Sequence, residues 1–203
     1  MVLVRKKDTG KIYATKIIEK SKLNTQHAIE HIMTEQKVLI NDCPFLLHLH
    51  FSFHTKSKLY LVTDYLCGGD LFYHLSKRKS GGFHPRIVRF FIAELVLALA
   101  HLHKCGVIYR DLKLENVLLD EQGHICLADF GLSKLLPEGQ DRTKTLCGSQ
   151  GYLAPEILHG ESYSYSVDWF SLGVMCYELL TAQVSFIFPH TSFNNVNLFF
   201  LTH

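Results

Sequence analysis

The sequence predicts an α+β fold in which a small strand-rich part precedes a mainly helical one. Three observations carry that prediction. Up to about residue 64, apolar residues fall in short β-branched and aromatic runs. Gly68-Gly69-Asp70 then breaks the chain. Beyond it, apolar residues recur at helical spacing over long segments.

The elements follow in order. Val2-Leu3-Val4 and residues 12–18 read as two strands, and Lys7-Asp8-Thr9-Gly10-Lys11 between them has hairpin-turn chemistry. Ile29, Ile32, Met33, Val38 and Leu39 predict a helix over 27–40, ended by Cys43-Pro44. Residues 45–53 and 58–63 read as two more strands. Residues 71–79 read as a short helix. Pro85 opens a long one, whose apolar face is Val88, Phe91, Ile92, Leu95, Leu99 and Leu102. A further helix covers 167–180. The chain thus divides into a sheet part (1–63), a helical part (64–182) and a tail (183–203).

Composition narrows the class. Of 203 residues, 47% are hydrophobic and 20% charged, as in ordinary globular proteins. A net charge of +2 is too mild to argue for nucleic acid or an anionic membrane. The six cysteines show no C-x-x-C spacing, which argues against zinc and for reduced thiols in the cytoplasm or nucleus. Arg5, Lys6 and Lys7 followed by Asp8 and Gly10 do not read as a signal peptide. The longest apolar stretch, 90–102, carries Glu94 and His101 and is too short to span a bilayer, so no transmembrane segment is expected.

The chemistry sits in three motifs. Tyr109-Arg110-Asp111-Leu112-Lys113-Leu114-Glu115-Asn116 sets a carboxylate, a cation and an amide oxygen close together. Phosphoryl transfer needs those groups: a base that aligns a hydroxyl (Asp111), a positive charge beside the moving group (Lys113) and a Mg²⁺ ligand (Asn116). Asp129-Phe130-Gly131 follows an apolar strand and supplies a second metal ligand at Asp129. Ala154-Pro155-Glu156 closes the segment after it. Upstream, Lys16 lies on a strand and Glu35 on the next helix, a pair suited to holding α- and β-phosphates. Each piece alone has a bland reading: Lys16 as a solvated strand residue, Glu35 as helix surface charge. Their joint order and spacing decide for the chemical reading.

These motifs resemble the AGC group of serine/threonine protein kinases, in the manner of the ribosomal-protein kinases. The carriers are the 109–116 run, Ala128-Asp129-Phe130-Gly131-Leu132-Ser133-Lys134, and the stretch from Thr145-Leu146-Cys147-Gly148 to Glu156. Leu66-Cys67-Gly68-Gly69-Asp70-Leu71-Phe72 supports them, and the match covers about residues 1–182. The resemblance implies a two-lobed protein-kinase-like fold with ATP and Mg²⁺ as cofactors. Asp64 to Leu66 would meet adenine, with Leu118 beneath it and Thr63 at the gatekeeper position. Asp70 and Glu115 would face basic residues upstream of a Ser/Thr acceptor in protein substrates. Thr145 would be a regulatory phosphosite for an upstream kinase, its phosphate met by Arg110, Lys134 and His31.

The sequence departs from the family pattern in three places. No glycine-rich loop stands before the first strand, so the N-lobe is expected to lack that loop and its first strand. From Gln183 the sequence diverges, so the C-lobe is expected to lack its last helices. The tail, which has no Asp, Glu, Lys or Arg, either covers exposed core or is an aggregation-prone end. Ser149-Gln150-Gly151 replaces the usual Thr-Pro-Glu, and Ser149 keeps a hydroxyl able to bridge Asp111 and Lys113. Truncation at both ends leaves two functions open: an active Ser/Thr kinase, or a catalytically impaired kinase-like fragment acting as a binding or scaffold protein.

Overall fold

A computed structural model describes residues 1–183 except Asn24, Asn41 and Glu138, without the side chains of residues 26–28 and 31. The readings made for His31 and for residues 184–203 therefore lie outside the described residues.

The chain opens with a hairpin of β1 (Val2–Arg5) and β2 (Ile12–Glu19). Gly10, at φ +71°, closes its turn, donating its N–H to Lys6 O at 2.8 Å. A 3-10 turn, Lys20–Lys22, leads to α1 (Gln26–Leu39). β3 (Leu49–His54) and β4 (Lys58–Asp64) complete an antiparallel sheet of order β1-β2-β4-β3. Leu61 and Thr63 on the central strand β4 are buried.

The helical part follows. α2 (Leu71–Ser76) is capped by Asp70, whose carboxylate accepts Tyr73 N–H at 2.7 Å. α3 (Pro85–Lys104) starts on its proline and buries Val88, Phe91, Leu95, Leu99 and Leu102, while Ile92 is half-buried. β5 (Val107–Ile108) pairs with β8 (Lys134–Leu135), and β6 (Val117–Leu119) with β7 (Ile125–Leu127). A single 3-10 turn, Leu114–Asn116, precedes β6. α4 (Pro155–Leu158) is one turn, and α5 (Ser166–Thr181) packs on α3. Gly82 is required where the α2–α3 loop meets α5, because a Cβ there would lie 2.2 Å from the Leu180 carbonyl carbon.

Two sequence expectations need correcting. Residues 45–48 do not belong to β3. Pro44 and a turn at Cys43 (Leu46 N–H to Cys43 O, 3.2 Å) redirect the chain, and three consecutive apolar residues do not alternate as a half-exposed strand requires. They bond instead to β7: Leu127 N–H donates to Phe45 O at 2.9 Å, and Leu47 N–H to Leu127 O at 3.0 Å. This segment ties the sheet to the helical part. The helix expected over 71–79 ends at Ser76, because Lys77, Arg78 and Lys79 are exposed and bring no apolar side chain to the core.

One core cluster runs from Val38, Leu47 and Leu61 through α3 to Phe130 and Leu179. A smaller one gathers Ile108, Leu153, Ile157, Tyr163 and Val167. No helix among the described residues is long and apolar enough to cross a membrane.

Candidate active site

Between β5 and the 3-10 turn at Leu114, the chain is held in an unusual course. Arg110 has φ +69°, a costly conformation for a side chain of its size. Asp168 holds it. That carboxylate, 1% exposed on α5, accepts Tyr109 N–H at 2.9 Å and Arg110 N–H at 2.8 Å. His103 Nε2 lies 2.7 Å from Asp168 Oδ2, the oxygen that accepts Tyr109 N–H. Arg110 Nε donates to Leu132 O at 2.7 Å, linking the loop to the segment after Gly131. Tyr109 is fully buried, donates its hydroxyl to Ala128 O at 2.5 Å, and meets Phe130 edge to face.

The loop so fixed presents a closed polar array. Lys113 Nζ lies 3.1 Å from Asp111 Oδ2 and donates to Ser149 Oγ at 2.9 Å. Ser149 Oγ donates to Asp111 Oδ1 at 2.7 Å. The Ser149 hydroxyl thus stands between Asp111 and Lys113. Asn116 Nδ2 donates to Asp111 O at 2.9 Å and to Asp111 Oδ2 at 3.0 Å. With its nitrogen committed, the group Asn116 has left for a metal is its carbonyl oxygen.

A second array spans β2, α1 and the end of β7. Lys16 Nζ lies 2.6 Å from Glu35 Oε1 and 3.4 Å from Asp129 Oδ1. Burial alone would pull the Lys16 ammonium down, but the two carboxylates outweigh it and hold its pKa above the usual lysine value. Glu35 is buried; Asp129, at φ +52°, is exposed.

The second array and, from the first, Asn116 line one cavity of about 570 Å³. Lys16, Glu35, Asn116 and Asp129 line one part, and Thr63, Asp64, Leu66 and Leu118 another. Met1, Val2 and Leu3 of the edge strand line it too. Among the described residues no three His, Cys, Asp or Glu side chains converge as a metal site. The donor set of Asn116 and Asp129 suits Mg²⁺, which keeps several waters and binds through one or two protein oxygens plus phosphates.

A smaller cavity of about 300 Å³ brings Thr145 together with Arg110, Lys134 and Lys37. Lys134 Nζ donates to Thr143 Oγ1 at 2.9 Å. The Thr145 carbonyl accepts the Tyr163 hydroxyl at 2.5 Å, which fixes its backbone. Asp70 caps the start of α2, and Glu115, in the middle of the Leu114–Asn116 turn, is exposed beside the larger cavity.

The family model described as protein kinase domain matches residues 1–198. The chain belongs to the protein kinase family. It is 50% identical over 191 residues to the RAC family serine/threonine-protein kinase homolog of Dictyostelium discoideum, covering 92% of this chain and 42% of that protein. It is 52% identical over 179 residues to the serine/threonine-protein kinase YPK1 of Saccharomyces cerevisiae (88% and 26% covered). It is 45% identical over 194 residues to Sgk1 of Gallus gallus (95% and 44%). The chain thus spans less than half the length of these kinases. They bear out the AGC-type serine/threonine branch drawn from the motifs.

Three structurally engaged residues escaped the sequence reading. Asp168 stood in a quoted motif run but got no role, because its work is done on backbone N–H groups far along the chain. Lys37 shares the Thr145 cavity and had only helix-surface spacing to mark it. Glu178 is buried on α5, where it accepts the Tyr152 hydroxyl. The signal for it was available: a lone mid-helix carboxylate in an otherwise apolar run. Burial raises the Glu178 pKa, and the Glu115 carboxylate adds to this against the Tyr152 hydrogen bond. A carboxyl raised in the folded state favours folding while protonated, and that stability is lost as pH rises from the ordinary glutamate range through the raised value. Glu178→Gln is therefore expected to raise Tm relative to the parent near neutral pH and to leave it unchanged in acid. Thermal melts across that window check this, and a pH-independent difference would contradict it.

Proposed function

We propose that this chain transfers the γ-phosphoryl group of Mg²⁺·ATP to a Ser or Thr hydroxyl of a protein substrate carrying basic residues before the acceptor. One observation supports this above all: Asn116, bonded to Asp111 in the Asp111–Lys113–Ser149 array, lines the same cavity as Lys16, Glu35 and Asp129.

In this reading Asp111 orients the acceptor hydroxyl and takes its proton as the oxygen–phosphorus bond forms and ADP leaves. Lys113, 3.1 Å from Asp111, offsets negative charge on the moving group. Lys16, fixed by Glu35, meets the α- and β-phosphates. Asn116 and Asp129 would hold Mg²⁺, whose contribution is to neutralise charge on the phosphate oxygens. Asp64 to Leu66 take the adenine, with Leu118 beneath and Thr63 behind. Asp70 and Glu115 would face basic residues upstream of the acceptor in the substrate. Six scattered cysteines with no C-x-x-C spacing fit a cytoplasmic or nuclear location. A phosphate on Thr145, placed by an upstream kinase, would find Arg110, Lys134 and Lys37 around its cavity.

A peptide kinase assay tests this. Asp111→Asn is expected to lower kcat roughly 10²–10⁴-fold, the usual share of a positioned base. An Arg-to-Ala change upstream of the peptide acceptor is expected to lower kcat/KM about tenfold or more, from the loss of a charge-assisted contact. Equal rates for both peptides would refute the basic preference. No activity in the parent, with partner binding unaffected by Asp111→Asn, would support the scaffold alternative instead.

Thr145→Ala is expected to lower the activity of protein isolated with Thr145 phosphorylated to that of the unphosphorylated form. Full activity in that variant would remove Thr145 as a switch.

A further inference from the structure

We propose that Ser80 is a phosphorylation site, and that the enzyme acting on it is a second copy of this chain. The inference rests on the proposed preference for basic residues before the acceptor. Lys77, Arg78 and Lys79 occupy the three positions before Ser80, and no other Ser or Thr in the chain follows three cations. All four residues are exposed, in the connection between α2 and α3. Arg78 N–H donates to Leu75 O at 3.1 Å, and Phe83 N–H to Leu179 O at 2.6 Å. Between these two anchors Lys79, Ser80 and Gly81 make no hydrogen bond among the described residues. Their backbone is therefore free to take an extended course in another protein's cleft. Lys77 Nζ stands 5.4 Å from the Tyr73 ring centroid and the Arg78 guanidinium 5.0 Å from that of Phe83. Such contacts are weak at exposed sites. α2 beneath them has only six residues, too few to hold as a helix by itself. The cations can thus leave their rings.

The competing hydroxyls are engaged. Thr9 follows Lys6 and Lys7, but Asp8 intervenes and pairs with Lys6 at 3.3 Å, while the Thr9 hydroxyl accepts Lys11 N–H at 3.4 Å. Thr143 follows Arg142 but is buried against Lys134. Ser80 is also out of reach of Asp111 in its own chain. Gly82 is pinned to the C-terminal end of α5, where a Cβ would lie 2.2 Å from the Leu180 carbonyl carbon. Asp111 follows Arg110, whose N–H is held by Asp168 near the start of that helix. Asp168 and Leu180 are about 18 Å apart along α5. The two residues from Gly82 back to Ser80 reach only about 7 Å. The hydroxyl is therefore offered to a second copy, with Lys77 and Arg78 meeting that copy's Asp70 and Glu115. There the Ser80 oxygen–phosphorus bond forms as the bond to ADP breaks, and the hydroxyl proton passes to that copy's Asp111.

The parent chain is mixed with an Asp111→Asn copy distinguished by a tag, in Mg²⁺·ATP, and phosphate is located by mass spectrometry. Asp129→Ala serves as a second inactive copy. A peptide with arginines before its serine is incubated in parallel to report kinase activity. The expected result is phosphate on Ser80 of the inactive copy, at a rate proportional to the concentration of parent. Changing Lys77→Ala and Arg78→Ala together in the inactive copy is expected to lower that rate about tenfold or more, through lost charge-assisted contacts. A phosphorylated peptide beside an unmodified Ser80 would overturn this inference and leave the proposed function standing. No phosphate on either would overturn both. Phosphate on Ser80 of the parent alone would overturn transfer between copies. Phosphate on the inactive copy incubated without parent would assign Ser80 to a different kinase and overturn the inference as well.

Discussion

The Asp168 carboxylate is the fixed point on which the site depends. It is buried among apolar residues of α5, yet it is satisfied by two backbone N–H groups and His103. Hydrogen bonds to a charged group contribute about 1.5–3 kcal/mol each. A strained backbone residue costs about 1–3 kcal/mol. The two bonds therefore offset the left-handed turn at Arg110. That turn lets Tyr109 go into the core while Asp111 meets Lys113, Ser149 and Asn116. Without the carboxylate, two buried N–H groups would stand unpaired and the loop would have no reason to hold its course.

The second constraint is the bridge between sheet and helical part. Lys16 and Glu35 come from β2 and α1, Asp129 from the far side, and they meet over one ammonium. The backbone bonds of residues 45–47 to β7 make the same connection in the core. Charge and packing thus set the cavity from opposite sides. Burial and close packing also carry costs. Glu178 is held buried against its preference for water, and Gly82 gives up a side chain so that Phe83 N–H can reach Leu179 O at 2.6 Å.

Much of this was legible in the sequence. Periodicity gave α1, α3 and α5 within a residue or two, because each has a continuous apolar face to bury. The hairpin turn at Gly10 and the proline start of α3 were local chemistry. The candidate site residues could be proposed because phosphoryl transfer calls for those groups at fixed spacing. What escaped were interactions set by tertiary placement. Residues 45–47 look like the start of β3 until β7 is beside them. Lys37 reads as helix surface until the loop carrying Thr145 folds against it. Asp168 and Glu178 act on groups dozens of residues away, and no local pattern encodes that.

Thermal unfolding with and without Mg²⁺·ATP, in the parent chain and in Asp129→Ala, tests the central claim that the cavity is a working nucleotide site. Binding to the folded state alone adds about 2.7 kcal/mol at a hundredfold excess over Kd. The account predicts one cooperative melt whose midpoint rises with Mg²⁺·ATP in the parent, while the Asp129→Ala midpoint stays put. An unchanged parent midpoint, or an equal rise in both, would contradict it.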